Sequence, residues 1–138
     1  MSDFNQSQSV AKAIHSALAA NLGVQALLGD PARLYDHAPE NPIYPYLSYG
    51  PMRSEDTGGD AHPVTTHSLT LHIWSRYSGR AEVMQCLSAV SEALEEGGLT
   101  LSSAHLISAH TVFSDSFRAP DGRTLHGLLR FNVTTEPI

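Results

Sequence analysis

Eight histidines and a single cysteine carry most of the reactive potential of this chain. The histidines are His15, His37, His62, His67, His72, His105, His110 and His126. Two imidazoles grip one divalent ion when they recur at HxH or HExxH spacing, and neither spacing occurs. His72 and His126 fall in two strand-like segments and could become neighbours across a sheet. A pair of imidazoles without carboxylate or thiolate support makes a poor zinc site, so ordinary strand histidines are the simpler reading and no metal is expected. Cys86 sits beside an apolar stripe between Val83 and Val90. Reactive thiolates need an exposed, electropositive setting, so a buried structural thiol is expected.

Other catalytic arrangements fare no better. A Ser–His–Asp site has no anchor, because the GxSxG elbow is missing. The acid pairs Glu55–Asp56 and Glu95–Glu96 are sequence neighbours. Neighbouring side chains point apart on a strand or a helix, so these read as solvated charges rather than an acid/base couple. Gly58–Gly59 lacks the lysine and hydroxyl residue of a phosphate-binding loop. The patterns predict no enzyme and no cofactor.

Period-2 and period-3.6 patterns place these residues on elements. Residues 1–6 are polar and expected to fray. A helix is predicted from Ser7 or Ser9 to Leu22, with Val10, Ile14, Leu18 and Leu22 as its apolar stripe and Gly23 as its stop. Val24–Leu28 is a short second helical turn ended by Gly29-Asp30-Pro31. Arg33–Tyr35 is a brief strand. Pro39, Pro42 and Pro45 make helix improbable in the next connection. Tyr46–Gly50 is a short strand, placed at an edge, and residues 51–65 form a long polar loop carrying Arg53, Glu55, Asp56 and Asp60.

The stretch from residue 66 to residue 84 is the clearest. Leu69, Leu71 and Ile73 alternate with Thr70, His72 and Trp74 in a strand over Thr66–Ser75. A helix follows from about Arg80 to Glu96, with Val83, Leu87, Val90 and Leu94 on one face. Ser78 is its expected N-cap, Glu82 suits its first turn, and Gly97-Gly98 stops it. Glu95 and Glu96 lie at the unfavourable end of the helix dipole and are expected in solvent or against a partner subunit. A hairpin closes the chain, with arms His105–Arg118 and Arg123–Glu136 and the turn residues Pro120-Asp121-Gly122 between them. On the second arm Leu125, Gly127, Leu129, Phe131 and Val133 share one face.

These elements predict an α+β fold: one domain over residues 1–138, with a mainly antiparallel sheet and the two main helices on one face. The order of strands does not follow from the sequence. Composition bounds the class further. Hydrophobic residues make up 41% of the 138, enough for a real core. Eight Lys plus Arg stand against fourteen Asp plus Glu, for a formal charge of -6, which argues against binding nucleic acid mainly through phosphates. One cysteine excludes an internal disulfide, and the first residues lack a secretory pattern. A cytoplasmic setting without a membrane anchor is expected.

Trp74 and Tyr77 flank a strand end together with Arg76 and Arg80. Trp, Tyr and Arg are enriched at interface hot spots, so these residues read either as a subunit contact or as a sheet margin with arginines in solvent.

Taken in order, the segments ALLGD (Ala26–Asp30), LYDHAPEN (Leu34–Asn41), YPYLSYG (Tyr44–Gly50), SLTLHIWSRYSGRAEV (Ser68–Val83) and DGRTLHGLLRFNVTTEP (Asp121–Pro137) resemble the tail-terminator, or tail-completion, family of long non-contractile-tailed phages. The branch found in prophages and gene transfer agents is the most similar. The resemblance spans about Val10 to Pro137. It implies an antiparallel sheet backed by helices and a hexameric ring that caps the finished tail tube. It also implies a docking face for the head-side connector and a lumen through which DNA passes without sequence-specific binding. The partners implied are the chain itself, the major tail tube protein and the connector. The interface residues expected on exposure are Arg53, Glu55, Asp56 and Asp60 of the long loop, then Trp74, Arg76, Arg80, Asp121 and Arg123. A neighbouring alternative is another head–tail joining protein, a stopper or an adaptor. An alternative of a different class is a small α+β ligand-binding domain.

Overall fold

The alternation of Leu69, Leu71 and Ile73 lies on the central strand of a five-stranded sheet. The computed structural model describes residues 3–96 and 98–138. In chain order the elements are α1 (Asp3–Ala20), α2 (Leu22–Leu28), β1 (Leu34–Tyr35), β2 (Tyr46–Asp56), β3 (Thr65–Ser75), α3 (Ala81–Glu95), β4 (His105–Arg118) and β5 (Leu125–Glu136). The strand order is β1-β2-β3-β5-β4. Every pairing is antiparallel except the short parallel one between β1 and β2.

One face of the sheet is apolar and carries the helices. Leu69, Leu71 and Ile73 of β3 lie in one core with Leu125, Leu129, Phe131 and Val133 of β5. The helices contribute Val10, Ile14 and Leu18 from α1, Val24 and Leu28 from α2, and Val83, Leu87, Val90 and Leu94 from α3. Gly127 lets α3 approach closely: a Cβ there would stand 2.8 Å from Val83 Cγ2 and 3.2 Å from Leu87 Cδ1. The α+β architecture with helices on one face is the one the sequence predicts.

Several boundaries differ, each for a physical reason. Helix α1 begins at Asp3, earlier than the Ser7 or Ser9 start expected, and takes in residues 3–6; residues 1 and 2 lie outside the described set. Gln6 is buried because its side-chain carbonyl accepts a 2.7 Å bond from Thr135. The helix ends at Ala20 rather than Leu22. Asn21 turns extended and caps α2, its side chain accepting from Val24 N, so Leu22 leaves the stripe and is 79% exposed. Gly23 lies inside α2 instead of closing the first helix.

Strand β2 is eleven residues long, where a short strand to Gly50 was expected. A register shift between Tyr49 and Met52 absorbs Pro51, whose missing N–H would otherwise break the ladder. The long loop therefore shrinks to residues 57–64. It is ordered by Thr57 N donating to Val64 O at 2.9 Å and Gly58 N donating to Asp56 Oδ1 at 3.0 Å. Ser78 is not the cap of α3. Arg80 occupies that position without a side-chain bond, and Glu82 instead accepts from the Ser75 hydroxyl at 2.7 Å. Glu95 is tied within the chain, accepting from Thr111 N at 3.3 Å. Of the glycine pair after α3, Gly97 lies outside the described residues, while Gly98 takes a positive φ of 74°.

Candidate functional site

The two classes of candidate chemistry separate cleanly in space. Cys86 is buried in the core, and burial pushes its thiol up to about 12, with the Glu82 carboxylate adding to the rise. It is a packing residue. His67 stands within hydrogen-bond reach of a serine, with Nδ1 2.7 Å from Ser54 Oγ. Thr135 donates its hydroxyl to Gln6, so it accepts from Nε2–H of His67 at 2.9 Å. That leaves Nδ1 to accept from Ser54. The histidine is thus oriented by a neutral hydroxyl and is fully buried, and the chain of bonds pins α1 to the sheet. Among the described residues, no three of His, Cys, Asp and Glu gather as a metal-ligand set.

The opposite face of the sheet is built differently. Its outward positions near one end carry rings in sequence across the strands. Tyr46 stacks on Trp74 with centroids 6.4 Å apart, Trp74 stacks on His126 at 4.0 Å, and Phe117 tilts against His126 at 4.7 Å. The ladder follows from register, since Tyr46 opposes Trp74, Trp74 opposes His126, and His126 opposes Phe117. His72 joins it, with Nδ1 2.8 Å from His126 Nε2. Burial holds both imidazoles below their ordinary range, and the charge on His72 would lower His126 further. Trp74 donates its indole N–H to Ser48 Oγ at 2.9 Å.

The edge strand β4 is exposed along its length. Leu106, Ile107, Val112, Phe113 and Phe117 are all between 38% and 49% accessible. Register shifts at Leu106/Ser108 and Thr111/Phe113 leave Ile107 and Val112 without a partner on β5. Such bulges twist an edge and discourage an incoming strand.

The hairpin tip is tightly made. Asp121 accepts from Arg123 N and Thr124 N, both at 2.9 Å, and from the Thr124 hydroxyl at 2.6 Å. These bonds, led by the Thr124 hydroxyl, hold its carboxyl at about 2. Arg76 lies 3.9 Å from Asp121 Oδ2, donates to Thr124 Oγ1 at 3.2 Å and stacks over Tyr44 at 4.4 Å. Gly122 supplies the positive φ of the turn.

The residues anticipated from sequence therefore fall in two groups at opposite ends of the sheet. Trp74, Arg76, Asp121 and Arg123 gather near the hairpin tip, with Arg80 at the start of α3 on the same end. Arg53, Glu55 and Asp56 lie on the second half of β2, and Asp60 lies in the loop beyond. Arg53 and Glu55 form an exposed ion pair at 3.3 Å. Sequence reasoning passed over the apolar side chains of β4. Their signal was present: the adjacent pairs Leu106-Ile107 and Val112-Phe113 break strict alternation where the bulges fall.

The profile of the family described as "Tail completion protein gp17" matches residues 12–136. The chain belongs to this family. Its members are structural proteins of phage tails. Two solved structures share the fold of this tail completion protein family member. One is a chain of the "virion of native gene transfer agent (GTA) particle", at a TM-score of 0.83 and 24% identity, covering 94% of this chain and 96% of that one. The other is the bacteriophage SPP1 gp17 protein, at a TM-score of 0.63 and 20% identity, covering 94% of this chain and 90% of that one. No curated protein matches the chain. In this tail completion family member the sheet has one face covered by helices, a ring ladder on the other face, and exposed apolar side chains on the edge strand β4.

Proposed function

We propose that this protein is a ring-forming terminator of a phage tail or gene transfer agent tail. Copies assemble, six to a ring, on the finished tube, end its polymerisation and offer the head-side connector a docking face. DNA passes through the lumen, and the overall acidic balance keeps its phosphates from the wall. The partners are further copies of the chain, the tail tube protein and the connector. Assembly takes place in the bacterial cytoplasm, and the role is structural, with no catalytic step. The family match over residues 12–136 carries this reading, and the fold shared with a chain of a gene transfer agent virion supports it. The exposed groups Arg53, Glu55, Asp56 and Asp60 at one end, and Arg80, Arg123 and their neighbours at the other, are the proposed contacts to tube and connector.

The test is electron microscopy of particles from cells lacking the gene. Overlong or ragged tubes with unattached heads are expected. Tubes of normal length without heads would favour a head-side joining protein, and complete particles would overturn the reading.

A further inference from the structure

The ring ladder on the open face hangs on one contact. His72 Nδ1 and His126 Nε2 stand 2.8 Å apart, and a neutral imidazole has one N–H and one bare nitrogen. With both rings neutral, one donates and the other accepts. With one ring protonated, the charged ring donates and its neutral partner still accepts, so the bond survives the first proton. Trp74, stacked on His126 at 4.0 Å, suits that first charge by offering it a ring face. The second proton leaves no acceptor: two N–H groups and two positive charges then meet at hydrogen-bond distance. We infer that the His72–His126 pair is an acid-operated latch, which holds the ring ladder closed until both imidazoles are charged and then lets that part of the open face loosen while the fold stands. The inference concerns the single subunit and does not depend on ring assembly.

Among the described residues, the groups around the pair do not offset a second charge. Across the strands His72 opposes Ser48 and Leu128, and His126 opposes Trp74 and Phe117. The titratable and charged groups on the same stretch of the open face are Tyr46 on β2, Asp115 on β4, Arg130 on β5 and Arg76 beyond the end of β3. Asp115 opposes Leu128 and is engaged by Ser116 N at 2.8 Å. Arg130 opposes Thr70, two residues along β3 from His72, and adds a like charge. Arg76 is a second cation, tied to Thr124 and Asp121. Tyr46 stays neutral, since burial above all raises its phenol further. Burial lowers both imidazoles, the charge on His72 lowers His126 further, and no carboxylate opposes this at either ring.

The loosening can stay local. His72, Trp74, Phe117 and His126 lie outside the apolar core, on the other face of the sheet. Backbone pairing of β3 with β5 runs without a break from Thr65 to Ser75, and that of β4 with β5 from Phe113 to Arg118. The strands beneath the rings therefore hold without them. Phe117 is already 38% exposed on the edge strand, and its ring contact is with His126. When the imidazoles part, Trp74 and Phe117 lose the ring between them and become more accessible. The ladder lies at the hairpin-tip end, so the latch changes the surface there.

The full chain carries a single tryptophan, so Trp74 reports on the ladder directly. The test follows its emission maximum and its quenching by acrylamide from about pH 8 to about pH 4, with far-UV circular dichroism as the measure of the fold. A shift to longer wavelength with increased quenching is expected below 6.5, while the circular dichroism is unchanged. His72→Gln supplies a carboxamide, which donates to a neutral His126 and accepts from a charged one, so this variant should lose the step. His126→Gln does the same from the other side and should lose it too, which keeps the test open if one variant fails to fold. Proton NMR of the imidazoles is a second readout. His126 should titrate at higher pH in His72→Gln than in the parent, because its charged neighbour is gone. The inference is overturned if Trp74 stays shielded until the circular dichroism is lost, if the folded variants keep the parent's step, or if His126 titrates alike with and without His72.

Discussion

His72 and His126 meet on the open face of the sheet, with Nδ1 of one 2.8 Å from Nε2 of the other, beneath the stacked ring of Trp74. One ring N–H donates to the bare nitrogen of its partner, so at least one of the two rings must be neutral. Gly50 makes the room, because a Cβ there would stand 2.7 Å from His72 Nε2.

A pH dependence follows. Burial lowers both imidazoles from 6.5 in the folded protein. Below 6.5 the unfolded chain therefore binds more protons than the folded one, and stability falls as pH drops. The pair contributes fully above 6.5, and its contribution is lost as pH falls through the folded values. Melting temperature measured from about pH 8 to about pH 5 should decline on the acid side. His126→Gln keeps a hydrogen bond to His72 and removes one titrating ring, so its decline should be shallower. An equal slope in parent and variant would assign the acid sensitivity elsewhere.

Gly127 sets the seat of α3 on β5. Gly127→Ala places a methyl 2.8 Å from Val83 Cγ2 and 3.2 Å from Leu87 Cδ1. Overpacking of this kind should destabilise by about 1–3 kcal/mol in urea unfolding. Adding Val83→Ala removes the clashing methyls and should recover part of the loss. A double variant no better than the sum of the two singles would refute the steric account.

Thr135→Val is a sharper probe of the buried chain of bonds. The change conserves shape and deletes the hydroxyl that serves both His67 and Gln6. It should cost about 1–3 kcal/mol. Hydrogen exchange should quicken first in the opening turns of α1, which that chain ties to the sheet. A uniform loss of protection would show that α1 is not separately anchored there.

These sites explain why some features were legible in the sequence and others were not. Alternation marked the middle of β3 and β5 because Leu69, Leu71 and Ile73, and Leu125, Leu129, Phe131 and Val133, recur at every second or fourth position on the buried face, and helical spacing marked α3 in the same way; the buried polar ends of that face, His67 and Thr135, carried no such signal. The extent of β2 was hidden, since Pro51 reads as a strand stop when no bulge is known to absorb it. The end of α1 was misplaced because Leu22 keeps the apolar spacing while Asn21 redirects the backbone. The His72–His126 neighbourhood was visible as a possibility, but its ring ladder depends on β3 lying beside β5, and strand order is a property of the whole sheet. Arg76 read either as a subunit contact or as an arginine in solvent, and neither reading could show its ties to Asp121, Thr124 and Tyr44, which are made across the fold.

The bulges of β4 make a last prediction. Val112 is an extra residue opposite β5, so deleting it should restore continuous pairing from Ser108 to Arg118 and flatten that part of the edge. The fold should persist, with melting within ~4 °C of the parent, because Val112 contributes nothing to the core. What should change is behaviour in solution. A long, flat, apolar edge is a template for another chain, so the deletion variant should self-associate at concentrations where the parent does not, as read by light scattering. The association should be relieved by a lysine at Phe113, which restores charge to the edge without restoring the bulge. A deletion variant that scatters no more than the parent would mean that the bulge shapes the partner contact rather than guarding the edge.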